Sequence, residues 1–457
     1  TSAQSGLASA TSTWVGGVVP VVGDKAVIAA GHTVTLDGTY RWGDDTLTGI
    51  TVNGTLRASR TVSSQLTCRG DLYVNPLVGG TLDYGTEADP IPVNVTVTII
   101  LNDSAAMAQN KWGLRTNENS GAWTGGVWFW GYAKRPHTVL SAPATATDTV
   151  LSLENITRWA VGDWLGFQPA VSANLVYRQI TALAGNQVTL GAALGSARVA
   201  GMGVLNLTRN VKVLGAQGAT YRSHISLRSS PTAHVTGNAG VELGPVEIRV
   251  VGGSTNTWQH AGLNLHPQSN ANPYRWVRKI DGPCVTSVQS IDGATVVHVP
   301  GNPVAINFFN GQATYYEAVS LFAALPGNTG VTLQYYSGAS VSAGPDSVLL
   351  GGNTGIALGY SQGPVACSFR GQVWGAASLL SGTGTSLVFD GAKLDPGVRL
   401  MNLGAMGSLV LANTEVSTRT AVNTPGDAML WPIGALASLE AINCTFGPSF
   451  GVTRSAM

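Results

Sequence analysis

The chain has 457 residues, 58 of them glycine, with 44% hydrophobic and 11% charged residues and a formal net charge of +1 at pH 7. So apolar a composition excludes a disordered chain, and a neutral charge without a basic stripe excludes a nucleic-acid partner held by electrostatics. No apolar run reaches the roughly 18 residues of a membrane helix, so membrane insertion is not expected.

A surface this poor in charge suits a subunit that hides much of it in an assembly better than a free monomer. The opening residues, TSAQSGLASATST, carry neither a basic nor an apolar segment, so no signal peptide is expected within them. Thr1 would permit loss of an initiator methionine. Cys68, Cys284, Cys367 and Cys444 lie far apart without a CxxC pair, which reads as free thiols rather than a disulfide or zinc framework. No cofactor or metal is expected.

In chain order, residues 14–37 hold two short β-branched runs, Val27-Ile28 and Val34-Thr35-Leu36, with turns at Gly23-Asp24 and Gly31-His32. Strands so short are stable only when stacked on neighbours. Neighbours follow at 50–56 (ITVNGTL), 71–74 (DLYV) and 80–85 (GTLDYG). The stretch is read as the cap of a β-solenoid. Two short segments have helical spacing, 103–109 (DSAAMAQ) and 316–324 (YEAVSLFAA). Nearly everything else is strand-sized runs of Val, Ile, Leu and Thr between Gly, Asn, Asp and Pro.

The clearest repeat is SLVFDGAKL from Ser386, SLVLANTEV from Ser408 and SLEAINCTF from Ser438. Leu387, Leu409 and Leu439 share one offset, Phe389, Leu411 and Ala441 a second, and Leu394, Val416 and Phe446 a third. Asn413 and Asn443 coincide as well. Steps of 22 and 30 residues suit one turn of a parallel β-helix with insertions. Its corners explain the glycine, which takes strained backbone at least cost.

Trp14, Pro20, Gly23-Asp24, Gly31, Leu36-Asp37, Gly54-Thr55-Leu56 and Gly80-Thr81-Leu82 together resemble the G8 domain of the cell-migration-inducing hyaluronan-binding and fibrocystin-like family. WAVGD at 159–163, RNVKVLG at 209–215 and GLNLH at 262–266 extend the likeness over roughly the first 300 residues. The resemblance implies an all-β chain built as a right-handed parallel β-helix, and a link to polysaccharides. Three regions are expected: a G8-like β segment over 1–105, an aromatic-rich β connection over 106–205 and helix coils over 206–457. The chain is short and its histidines are scattered, so the family's activity does not carry over with its fold.

Hydrolysis of a glycosidic bond needs two carboxylates about 5–9.5 Å apart. Asp390 and Asp395 straddle a corner at Gly391 and Pro396, Asp281 and Asp292 are half a coil apart, and Asp44-Asp45 is a turn pair. Capping and turn roles fit them better. Residues 258–278 (WQHAGLNLHPQSNANPYRWVR) form the best site candidate. Its Trp258, Tyr274 and Trp276 would stack on sugars, and His266, His260 and Arg275 would serve acid–base or lyase chemistry if the chain is an enzyme. The alternative is a loop that seals a coil edge. In GVWFWGYAKR at 126–135, Trp128, Trp130 and Tyr132 would share a face of one strand.

The reading drawn from these features is a non-enzymatic structural or adhesion subunit of a bacteriophage virion, in its tail, fibre or capsid surface. Its expected partners are copies of itself in a homotrimer, other virion proteins and surface polysaccharide. The alternative is an extracellular polysaccharide-binding or polysaccharide-degrading β-helix enzyme.

Overall fold

The computed structural model describes residues 1–46, 48–101, 113–116, 124–170 and 176–215. Beyond 215 it describes the strand backbones between 225 and 446, with side chains at 370, 372, 374, 388–395, 408–417, 438 and 440–446. Within these limits the chain is a parallel β-helix whose strands stack in three columns.

In the first column, Gly6–Leu7, Thr33–Leu36, Thr55–Ala58, Thr81–Tyr84 and Gly126–Phe129 pair in succession. The second column runs Ala26–Ile28, Ile50–Val52, Leu72–Val74, Leu114–Thr116 and Ile225–Ser229. The third runs Thr39–Trp42, Ser64–Cys68, Val97–Leu101, Val211–Gly215 and Glu247–Val250. The chain visits the second, first and third columns in turn, and each circuit is one coil.

The two-residue period of a strand sends alternate side chains inward. Ala26, Ile50, Leu72 and Leu114 thereby form one internal ladder, and Val34, Leu56, Leu82 and Val127 another, all fully buried. Each buried Val, Leu or Ile stabilises by about 1.5–3 kcal/mol. The corners leading into the first column require glycine by close approach. A side chain at Gly54 would strike the carbonyl oxygens of Ala29 and His32, and one at Gly80 those of Val52 and Asn75.

The strands within 14–37 belong to the first coil rather than to a cap, because Gly6–Leu7 pairs outside Thr33–Leu36. Strands form at Ala26–Ile28 and Thr33–Leu36, with Gly31 in the left-handed region at φ 79°. Trp14 donates from Nε1 to the Ala8 carbonyl at 2.9 Å and meets Trp42 edge-on, with centroids 5.4 Å apart. Ser2 N donates to Val27 O at 2.8 Å, so the exposed edge of the second column is covered.

The C-terminal repeat is also confirmed, position by position. Ser386, Ser408 and Ser438 stand in register, as do Leu387, Leu409 and Leu439. Leu394 pairs with Val416, and Val416 with Phe446. Asp390 and Asp395 flank the corner at Gly391, which lies at φ 70°.

Between the first- and third-column strands of the fourth coil, the chain builds an antiparallel sheet. Its order is His137–Val139, Gly203–Asn206, Trp164–Phe167, Val176–Ala184, Gln187–Leu190 and Val150–Ser152. One face has a core of its own, including Leu151, Leu165, Phe167, Ile180, Val188 and Val204. At the sheet's root, Asp163 accepts from Lys134 Nζ at 2.6 Å and from Asn206 Nδ2 at 2.8 Å. Asn210 Nδ2 lies 2.9–3.1 Å from the carbonyl oxygens of Ile91, Pro92 and Val95 and ties the sheet's exit to the coil below.

Two local expectations are corrected. The helical reading of 316–324 fails because Ala318–Ala323 is a strand, paired with Asp281–Thr286 on one side and with Val348–Leu350 on the other. A helix of this length is marginal alone, whereas Val319 and Phe322 suit a strand with two neighbours. The other helical segment, 103–109, lies outside the described residues. The shared face of Trp128, Trp130 and Tyr132 fails because the strand ends at Phe129. Trp130 is buried and hydrogen-bonds to Tyr84, Trp128 is half-buried, and Tyr132 sits under the Arg158 guanidinium at 5.1 Å.

Candidate functional site

In the three-residue strands of the second column the middle residue has the parity opposite to the core. Ile50 and Val52 are buried while Thr51 is half-exposed, and Leu72 and Val74 are buried while Tyr73 is half-exposed. Arg115 occupies the same position in the next coil. Register then carries that position to Ser226, Asn264, Asn307 and Gln334. Farther along, after Ala357, it holds Ser381, Asn402 and Trp431. Its neighbours on the core parity are Ile225, Leu263, Ile306, Leu333, Ile356 and Leu380. A polar column, one residue per coil, thus runs beside an apolar one. Strand spacing sets its repeat at about 4.8 Å.

Its best-defined part is the Tyr73–Arg115 step. The Arg115 guanidinium carbon lies 4.8 Å from the centre of the Tyr73 ring, and Arg115 Nε is 3.0 Å from Asp71 Oδ2. Asp71 is fully buried, and its other oxygen accepts from Gly113 N at 3.0 Å. The buried carboxylate therefore fixes the guanidinium from below while Arg115 stays partly exposed above. A planar cation beside an aromatic ring can hydrogen-bond and stack on sugar rings.

Of the sequence candidates, His266 lies in the strand Leu263–Pro267, two residues past Asn264, and stands in register with Arg228. It therefore shares the parity of the polar column, one position along. Trp258, His260, Tyr274, Arg275 and Trp276 lie outside the described residues. The column itself was missed in the sequence, although alternation within strands about one coil apart carries its signal.

The carboxylates singled out in the sequence have structural partners where they are described. Asp45, at φ 63°, receives Arg69 Nη2 at 2.6 Å. Asp390 accepts from Asn413 Nδ2 at 3.0 Å, while Asp395 is buried. Asp83 joins Arg57 at 2.8 Å and Arg60 at 2.7 Å, and Arg60 also reaches Asp89 at 3.1 Å. In register with Asp83 stands half-buried Trp128, a second place where a ring adjoins charged groups. Away from the polar column, burial and then the Asp37 carboxylate push the Tyr40 phenol well up. Burial does the same at Tyr84.

Residues 13–137 match the family model of the G8 domain. The match covers the first coils and ends where the antiparallel sheet begins. No curated protein matches the chain. Among solved structures, the tailspike gp61 of Pseudomonas phage phi297 is similar at 12% identity and a TM-score of 0.21, over 92% of this chain and 66% of that one. The tailspike gp49 of Pseudomonas phage LKA1 is similar at 11% identity and a TM-score of 0.18, over 89% and 74%. The gp54 tailspike of Acinetobacter baumannii bacteriophage AP22, solved in complex with A. baumannii capsular saccharide, gives 9% identity and a TM-score of 0.21, over 92% and 67%. The chain thus spans about two thirds of the length of the first of these proteins.

Proposed function

We propose that the chain is a tail-associated structural and adhesion subunit of a bacteriophage virion, which contacts surface polysaccharide along the second column. The observation that carries this reading is the register of Tyr73, Arg115, Ser226, Asn264, Asn307 and Gln334, six coils deep. A linear glycan repeats along its length, and this surface repeats with it. Low charge and the absence of a basic stripe favour a neutral or weakly charged glycan over nucleic acid. The virion location and a homotrimeric state rest on the composition described above.

Binding of bacterial capsular polysaccharides by the intact chain, measured by calorimetry, tests the contact face. Tyr73→Ala and Asn264→Ala should each weaken binding about tenfold, as loss of a stacking or hydrogen-bonding anchor does. Unchanged affinity in both would remove the second column from the reading. Light scattering reads the oligomeric state, and mass spectrometry of purified particles reads the virion location.

One observation favours a second reading. His266 in register with Arg228, beside Asn264, sets an imidazole position next to a cation position on the polar parity. This would suit a polysaccharide-degrading enzyme, and depolymerisation lost in His266→Ala would establish it in place of the non-enzymatic role.

A further inference from the structure

The third column carries the opposite pattern on its non-core parity. Leu214, Arg249, Val285 and Phe322 stand in register there, followed by Leu350 and Trp374. The next coil holds Asp395. Where the second column is amides and hydroxyls, this one is mainly large apolar groups. The core parity is already filled by Val213, Ile248, Cys284, Leu321, Leu349 and Val373. An outer apolar column of this length needs a cover.

The described end of that column has one. Trp374 is buried, and its ring meets His137 edge-on with centroids 5.8 Å apart and planes at 85°. It also lies on Gly203, where any side chain would collide with the indole. Asp395 accepts a hydrogen bond from Gln168 Nε2, and Gly203 N donates to Gln168 Oε1 at 2.8 Å. His137, Gly203 and Gln168 share the face of the antiparallel sheet that lies opposite its own core, because Thr138 and Phe167 pair with, or lie beside, Val204 of that core.

We infer that the antiparallel sheet of residues 137–206 is an intramolecular clasp, seated through His137, Gln168 and Gly203 on the outer side of the third column, with Trp374 and Asp395 as its seat. The occupant at the described end of that column is this segment of the chain itself, which withdraws Trp374 and Asp395 from intermolecular contact.

The test is a size-swap across the contact. Gly203→Leu should lower the melting temperature and reduce amide protection of strands Gly203–Asn206 and Gln372–Trp374 about tenfold. Trp374→Ala opens the matching space, so Gly203→Leu with Trp374→Ala should regain part of the loss. Strictly additive losses overturn the clasp. Should Gly203→Leu fail to fold, Trp374→Ala alone gives an independent reading in the otherwise intact chain. It should reduce amide protection of Gly203–Asn206 about tenfold, and unchanged protection there refutes the contact.

Discussion

Asn443 Nδ2 lies 3.4 Å from Asn413 Oδ1, and the two asparagines occupy the same left-handed corner one coil apart, at φ 51° and 49°. Asn413 in turn donates to Asp390 at 3.0 Å, so three successive coils are tied at one corner. Asparagine serves here because it tolerates left-handed backbone and bonds along the stack. Asn413→Ala should cost about 1–2 kcal/mol, since it loses a hydrogen bond and strains the corner. Asn413→Gly should cost less, because glycine keeps the backbone at ease. Equal losses in urea denaturation would show that the corner stores no such strain.

Arg115 and Asp71 make a test of a different kind. Asp71 is fully buried, and removing the guanidinium strands its charge. Arg115→Ala should therefore destabilise by about 3–5 kcal/mol, far beyond an exposed ion pair. Asp71→Asn combined with Arg115→Ala should recover much of that loss. A single-variant cost below about 1 kcal/mol would mean that the pair behaves as a surface one.

Trp14 closes the N-terminal end against Trp42, which is itself fully buried. Trp14→Ala should cost about 3–5 kcal/mol. Hydrogen exchange should show the loss concentrated in strands Ala26–Ile28 and Thr39–Trp42. A loss spread evenly to the last coils would contradict a local cap.

His137 gives the clasp a pH dependence. Burial, then the charges of Arg135 and Lys393, pull its imidazole down to about 4, against an ordinary value of 6.5. Between these values the unfolded chain binds the proton and the folded chain does not, so stability rises with pH through this window. The stability is fully present above pH 6.5, falls as the pH drops from 6.5 towards 4, and changes no further below that. The span corresponds to about 3 kcal/mol. His137→Phe should flatten the profile of melting temperature against pH between 4 and 6.5, and an unaltered slope in that variant would assign it to other groups.

The C-terminal coils were legible in the sequence because their repeat is local. The same apolar offsets recur every 22 or 30 residues, and the strands align at those offsets. The strands of the first coil were legible for a similar reason, since Val27-Ile28 and Val34-Thr35-Leu36 are bounded by turn formers. Residues 318–323 misled because a short apolar run fits helix and strand alike, and only neighbours in space decide. The antiparallel sheet was not legible as such within the β connection expected over 106–205, because its strands are as short and β-branched as those of the coils. Strand direction leaves no trace in such runs. The face of each residue depends on register across coils, so neither Arg115 nor Trp374 announces its column when read alone. Of the site candidates, His266 joins a described strand, while the five others lie outside the described residues.

The bond between Gln168 and Asp395 spans 227 residues. Each coil can zip onto the one before it after a short loop, but the clasp cannot close until its seat exists. At about 5–20 residues per second of synthesis, the sheet, finished at Asn206, waits roughly 10–40 s for Asp395 to be made. During that interval the face of the sheet that bears His137, Gln168 and Gly203 is without its seat. That face is open to other chains for one bounded interval, which ends when residue 395 is made.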